Sequence, residues 1–319
     1  MKEHKNESLR IVFMGTPDFA VASLKALVET GHDIVGVITA PDKPAGRGRK
    51  IRISSVKQYA LQQELRLLQP TNLKDPSFLD ELASIEADLQ IVVAFRMLPQ
   101  AVWQMPRLGT FNLHASLLPQ YRGAAPINWA IIKGETRTGV TTFFINEEID
   151  TGAIIRQKEV DILENETAGD LHDKLMVLGS RLVVETAGLI AQGSITPLEQ
   201  SSASFTPAPK LNKENCRIDW AQPLESVYNQ IRGLSPYPGA WTLLSTDSGT
   251  LECKILESGK LLEKHDLEPG SIEASKKEIR VAVENGYIKV ERLQLSGKRK
   301  MDAVSFLNGF SFSKNDRFK

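Results

Sequence analysis

RIVFMGTPDFAVASLKALVETGHDIVGVIT, residues 10–39, carries the reading of the fold. Residues 10–14 are a short apolar strand, and the GTPDF turn that follows opens a helix. Thr16 is placed to cap it, Pro17 suits its first position and Asp18 complements the helix dipole. Val21, Leu24 and Val28 recur at helical spacing, and Gly31 ends the helix before a second apolar strand at 34–39.

The alternation continues. A polar loop, PDKPAGRGRK, leads into a helix near 54–66. Strands follow at 88–94 and 110–115, a helix at 126–133 and another strand at 139–145. Strands that are apolar throughout, separated by helices, belong to a parallel sheet covered on both faces, so the expected class is α/β, doubly wound and mostly parallel. A long amphipathic helix spans 167–192, with Thr167 and Asp170 as a capping box and Leu171, Leu175, Leu178 and Leu182 as its apolar stripe. Residues 201–215 hold few large apolar groups and read as a linker. Beyond a helix at 223–232, short alternating segments with Ile279, Val281 and Val283 on one face predict a small antiparallel β-barrel. Two domains are therefore expected, 1–200 and 216–319, joined by 201–215.

Composition excludes more than it selects. Lys and Arg number 39, Asp and Glu 39, and the mildly basic C-terminal part permits a polyanionic partner. No run reaches the 18 or so apolar residues of a membrane span, and the polar first ten residues do not form a signal peptide. Cys216 and Cys253 are the only cysteines, so neither a disulfide framework nor a thiolate metal cluster is expected, and a cytoplasmic location is the plain reading. His4, His32, His172 and His265 have no ligand-like spacing, which predicts no metal site.

The chemistry concentrates in FNLHASLLPQYRGAAP, residues 111–126. Residues two apart project from one face of a strand, so Asn112 and His114 point together while Phe111 and Leu113 face the packed side. An amide donor beside an imidazole is equipment for an oxyanion, at the strand end where open α/β sheets bind ligands. Alone, such a pair is more often two satisfied polar groups. Asp150, in NEEIDTGAII after the GVTTFFI strand, changes that balance: if the two strands are neighbours, its carboxylate can orient the imidazole and favour its cation. The alternative is that Asp150 only shapes a turn before Gly152. The GTPDF turn lacks the glycines of a dinucleotide site and the lysine of a P-loop, so helix capping accounts for it. Arg47, Arg49 and Lys50 form a basic loop free of acidic residues, and Lys298, Arg299 and Lys300 a second basic run; both suit phosphate, or are solvated turns.

Taken together, IVFMGTPDFA, PDKPAGRGRK, FNLHASLLPQYRGAAPINWAI, GVTTFFINEEIDTGAII and YPGAWT, in this order, resemble the 10-formyltetrahydrofolate-using formyltransferases, and among them the branch that acts on methionyl initiator tRNA. The resemblance implies a Rossmann-like formyltransferase domain and an OB-like barrel that holds tRNA, with 10-formyltetrahydrofolate as co-substrate; a monomer is expected, though the sequence itself does not give the oligomeric state. It matches Asn112, His114 and Asp150 to the catalytic trio and Ser116, Leu117, Leu118 and Pro119 to the folate site. Val93, Ala94, Phe95 and Arg96 match the pterin wall, with Arg96 where the commoner form has glycine and one residue more. Arg47, Arg49 and Lys50 match the loop that reaches the acceptor stem. A sugar-nucleotide formyltransferase, a formyl hydrolase and a catalytically silent RNA-binding protein are the competing readings. Of these, the first has no use for PAGRGRK and the last none for the trio. Arg122 is left without a role.

Overall fold

The computed structural model describes residues 8–45, 50–201 and 205–319, with the backbone alone for 44, 45, 50 and 51. In chain order the first elements are β1 (Arg10–Gly15), α1 (Asp18–Glu29), β2 (Asp33–Ile38), β3 (Lys43–Ala45), β4 (Lys50–Arg52), α2 (Ser55–Gln62) and β5 (Leu67–Leu68). Then come α3 (Pro76–Ala83), β6 (Leu89–Val93), α4 (Gln100–Trp103), β7 (Thr110–His114), β8 (Arg122–Gly123) and α5 (Pro126–Ile132). They are followed by β9 (Arg137–Phe144), β10 (Ile154–Asp161), α6 (Ala168–Ala191) and β11 (Pro207–Ala208). The chain ends with α7 (Leu224–Gly233), β12 (Ala240–Thr246), β13 (Gly249–Leu261), β14 (Ile272–Ala274), β15 (Ile279–Val283), β16 (Gly286–Leu295), β17 (Met301–Asp302), α8 (Ala303–Leu307) and β18 (Arg317–Phe318).

The first sheet runs β10-β9-β7-β6-β1-β2-β5. β1 pairs in parallel with β2 on one side and β6 on the other, and β6 with β7, as the apolar strands require. Successive strands step outward from β1 in one direction through β2 and β5, then in the other through β6 and β7. The switch point therefore lies between β1 and β6. Such a reversal opens a crevice at the carboxyl ends of the strands. Gly15, Val93 and Leu113 are in register across the three central strands, so the segments following β1, β6 and β7 share one rim.

β9 departs from the parallel pattern. It pairs with β7 antiparallel, placing Phe144 beside Phe111 and Thr141 beside His114. α1 begins without its expected side-chain cap: Pro17 occupies the N-cap position, and the Thr16 carbonyl accepts from the Val56 amide at 3.4 Å. PDKPAGRGRK is not loop throughout. Lys43–Ala45 and Lys50–Arg52 pair as an antiparallel ladder, and Arg47 and Arg49 lie outside the described residues. At its foot Asp42 accepts from Gln69 Nε2 at 2.9 Å and from Lys57 Nζ at 2.6 Å, hydrogen bonds that hold its carboxyl below the ordinary range. The capping box of α6 forms as its residues predict: the Asp170 amide donates to Thr167 Oγ1 at 3.2 Å and the Thr167 amide to Asp170 Oδ2 at 3.0 Å.

Two compact units emerge, interleaved along the chain. One holds residues 1–123, 139–160 and 172–207; the other holds 124–138, 161–171 and 208–319. In the second unit, α7 buries Leu224, Val227, Tyr228 and Ile231 in one core with the barrel strands, and Ile279, Val281 and Val283 are fully buried. Its sheet runs β14-β15-β16-β13-β12-β18, with β17 on β16. An antiparallel bridge between Ser271 and Arg317 joins the two ends of this order, so the sheet nearly closes on itself. Gly270, at φ +82°, permits that closure, since a β-carbon there would lie 2.2 Å from the Phe318 carbonyl. α5, which the sequence pattern placed with the first sheet, belongs to this unit: Asn128 Nδ2 donates to the Gly233 carbonyl at 2.8 Å.

Candidate active site

β7 delivers the first two side chains. Phe111 and Leu113 are buried on one face, where Gly179 of α6 packs so closely that a β-carbon would meet Leu113 Cδ2 at 2.7 Å. Asn112 and His114 therefore occupy the other face, as the strand period predicts. Asn112 is half-buried, and its amide has no hydrogen-bond partner among the described residues. It is a donor without an internal acceptor, at the rim where a substrate oxygen can sit.

His114 is held differently. Its Nε2 lies 2.9 Å from the Tyr121 carbonyl oxygen. A carbonyl only accepts, so Nε2 carries the proton of this contact. Nδ1 faces Asp150, at 3.7 Å from Oδ2. That exceeds a hydrogen bond and leaves Nδ1 able to address a third group.

Asp150 reaches the site by a route the strand pattern does not contain. Because β9 is antiparallel, its carboxyl end lies beside the start of β7, away from His114. The segment 145–153 then doubles back along β9, with the Phe144 amide donating to the Ala153 carbonyl at 2.9 Å. Gly152 makes the crossing possible: a β-carbon there would fall 1.7 Å from the Phe144 carbonyl oxygen. Asp150 sits at the turn with φ +56°, and its Oδ2 accepts the Gly123 amide at 2.9 Å. Shaping the turn and facing the imidazole are thus one arrangement.

Arg122 lies between these contacts. Its Nε and Nη2 donate to Gln200 Oε1 at 3.1 and 2.7 Å, and its guanidinium stacks over Phe205 at 4.8 Å. Gln200 Nε2 in turn donates to the carbonyls of Asp150 at 2.9 Å and Gly152 at 2.8 Å. Sequence reading passed over Gln200 because it opens a polar, aperiodic stretch, where no pattern separates a bonded glutamine from a solvated one.

The turn after His114 is pinned as firmly. Ser116 Oγ donates to the Gln120 carbonyl at 2.6 Å, and Thr141 Oγ1 donates to the Ser116 carbonyl at 2.6 Å. Gln157 Nε2 donates to the Leu118 carbonyl at 2.9 Å. Leu118 packs with Phe143 and Ile154, Leu117 and Pro119 are half-buried, and the Leu118–Pro119 bond is cis. On the neighbouring strand Val93 is fully buried, whereas Ala94 is exposed with φ +48°. Arg96 is exposed, stacks on Phe95 at 5.5 Å and donates to the Thr71 carbonyl at 3.0 Å. Lys298, Arg299 and Lys300 are exposed in the turn before β17, where the Lys298 carbonyl accepts from Gln294 Nε2 at 2.8 Å. Lys50 pairs with Ala45 through the backbone ladder. No cluster of three or more His, Cys, Asp or Glu side chains able to hold a metal occurs among the described residues, and no helix there is long and apolar enough to cross a membrane.

An amide and an imidazole at the carboxyl rim of a doubly wound sheet, with a carboxylate beside the ring, are a donor set suited to the oxyanion of an acyl-group transfer. The chain belongs to the formyltransferase family: the formyl transferase model matches residues 9–187, and the formyl transferase C-terminal domain model matches 210–311. It is 58% identical over 308 residues to the methionyl-tRNA formyltransferase of Flavobacterium johnsoniae, covering 96% of this chain and 98% of that one. To the methionyl-tRNA formyltransferase of Bacteroides thetaiotaomicron it is 56% identical over 315 residues, covering 97% and 98%. Among solved structures it resembles a sugar 3N-formyl transferase, WlaRD, crystallised with dTDP and 5-N-formyl-THF, with a TM-score of 0.63, 21% identity and 92% and 100% of the chains covered. It also resembles HypX from Aquifex aeolicus in complex with tetrahydrofolic acid, with a TM-score of 0.64, 21% identity and 94% and 47% covered. At these identities the two structures establish a shared fold.

Proposed function

We propose that this chain transfers the formyl group of 10-formyltetrahydrofolate to the α-amino group of methionyl initiator tRNA, as a monomer in the cytoplasm, giving the N-formylmethionyl-tRNA used to start translation. The observation that carries the reading is the meeting of Asn112, His114 and Asp150 at one rim, with the His114–Asp150 approach at 3.7 Å. The relatives named methionyl-tRNA formyltransferase, matched over nearly the whole chain, support the choice of acceptor.

An α-amine with a pKa of about 8 is neutral in useful amount near neutrality, so it attacks the formyl carbon without a strong base. The barrier lies at the tetrahedral intermediate, whose oxygen becomes negative. Asn112 Nδ2 and, in the imidazolium form, His114 Nδ1 donate to that oxygen, while Nε2–H stays on the Tyr121 carbonyl. Asp150 orients the ring and balances its charge. Collapse breaks the bond to N10, and the proton lost by the amine passes to that nitrogen. Tetrahydrofolate lies along the rim segments, with Leu117 and Pro119 on one side and Ala94, Phe95 and Arg96 on the other, while the buried Ser116, Leu118 and Val93 hold those segments in place from behind. Residues 1–200 carry the chemistry and 216–319 hold the RNA, with 201–215 as the join. Arg47, Arg49, Lys50, Lys298, Arg299 and Lys300 neutralise tRNA phosphates.

The test is to incubate the chain with 10-formyltetrahydrofolate and either methionyl-tRNA, an amino sugar nucleotide or no acceptor, and to locate the formyl group. Formylated methionyl-tRNA is the expected product. Formyl on the sugar, or free formate in all three mixtures, overturns the reading.

A further inference from the structure

Asp150 holds a left-handed backbone, φ +56°, that a non-glycine residue rarely keeps unaided. Its carboxylate meets His114 only while that turn persists. Three successive residues on the far side of the site secure it. Tyr121 offers its carbonyl to His114 Nε2 and Gly123 gives its amide to Asp150 Oδ2, while Arg122 between them reaches Gln200. Gln200 closes the ring by donating to the carbonyls on either side of Thr151.

The Gln200 amide is saturated: both donors go to the 150–152 turn, and its oxygen takes two guanidinium hydrogens. Reversing the amide would set oxygen against two carbonyls and NH₂ against a guanidinium, so the surroundings allow one orientation. Gln200 falls between the spans matched by the two family models, 9–187 and 210–311.

From this geometry we infer that Gln200, oriented by Arg122, is a positioning residue that sets the Asp150 carboxylate against His114 during formyl transfer. The inference rests on the proposed reaction, in which Asp150 serves the chemical step. Gln200 touches no reacting atom and acts only through the turn.

Gln200→Glu separates this role from a merely structural one. It keeps, as an ion pair, the contact with Arg122, and turns an oxygen toward the two carbonyls that now receive N–H. We expect kcat for formylation of methionyl-tRNA to fall about 10- to 100-fold, the range for losing two backbone-directed hydrogen bonds, with KM for both substrates within about twofold. In an Asp150→Asn background the same change should cost less than about twofold, because residues acting as a unit are non-additive. Full activity of Gln200→Glu, or an undiminished loss in the Asp150→Asn background, overturns the inference. Should Gln200→Glu fail to fold, Arg122→Lys, which loses the two-pronged grip on Gln200 Oε1, carries the test: a smaller kcat loss that also vanishes with Asp150→Asn supports the inference, and no loss overturns it. A wild-type chain that formylates no methionyl-tRNA defeats the proposed function; an active wild type with an unaffected Gln200→Glu defeats only the positioning role.

Discussion

Two turns of this chain carry polar groups of contrasting kinds. The turn at 115–123, after β7, is tied down by Thr141, Gln157, Gln120 and Gln200, and it presents a buried imidazole at its base. The turn at 296–300, before β17, presents three exposed cations. Bond-making tolerates little displacement of its donors. Phosphate neutralisation works through charge that water and salt screen but do not abolish, and it tolerates mobile side chains. Function at the first turn should therefore be brittle to single atoms, and at the second graded with charge.

The sharpest test of that contrast is Asn112→Ala. Removing one oxyanion donor typically costs about 10²–10³ in turnover, and the KM for methionyl-tRNA should not move. Near-normal turnover in a folded variant would remove Asn112 from the site. Next comes Gly152→Ala, whose β-carbon would lie 1.7 Å from a backbone oxygen. It should displace the Asp150 turn and destabilise the fold by about 1–3 kcal/mol, the usual cost of overpacking, read as a lowered Tm together with lost turnover. Replacing Lys298, Arg299 and Lys300 with alanine should weaken tRNA use only a few-fold and flatten its salt dependence by about 0.7–0.9 per lost phosphate contact, with kcat at saturating tRNA intact. An unchanged salt slope would remove the run from the RNA surface. Arg47 and Arg49 should behave alike, sparing folate binding.

The smallest effect lies in the barrel. Burial pushes the Cys253 thiol from its ordinary 9.0 up to about 12. The folded form then keeps the proton that the unfolded chain gives up, so stability is undiminished below pH 9 and declines as pH rises from there toward 12. Below that window Cys253 should resist alkylation until the chain unfolds. Ready labelling of native protein would contradict its burial.

Much of this was legible from residue pattern. β1, α1 and β2 arise where apolar period and turn residues agree, and the pairing of Asn112 with His114 follows from strand geometry alone. Strand direction was not legible. GVTTFFI is equally apolar whichever way it runs, so the approach of Asp150 was anticipated while its path, a return loop over Gly152, was not. Thr16 looked like a cap because Pro17 suits a first helical position, yet Pro17 itself became the N-cap. The ladder in PDKPAGRGRK was hidden by prolines and glycines, which mark turns more often than strands. α5 reads as one more crossover helix, and only its packing on α7 assigns it to the second unit. Arg122 and Gln200 form a pair separated by 78 residues, beyond the reach of any local pattern.

The near-closure of the barrel also bears on the order in which its parts can form during synthesis. Phe318 is 1% exposed and stacks on Trp220 at 5.5 Å, and the strand that carries it pairs with Leu244. This aromatic of the core is thus supplied after the other described strands of its sheet have been made. Until Phe318 leaves the ribosome, β12 presents an open edge and Trp220 an uncovered face, and long-range pairings of this kind form slowly. A growing chain must keep that edge from other strands until β18 is available to pair with it.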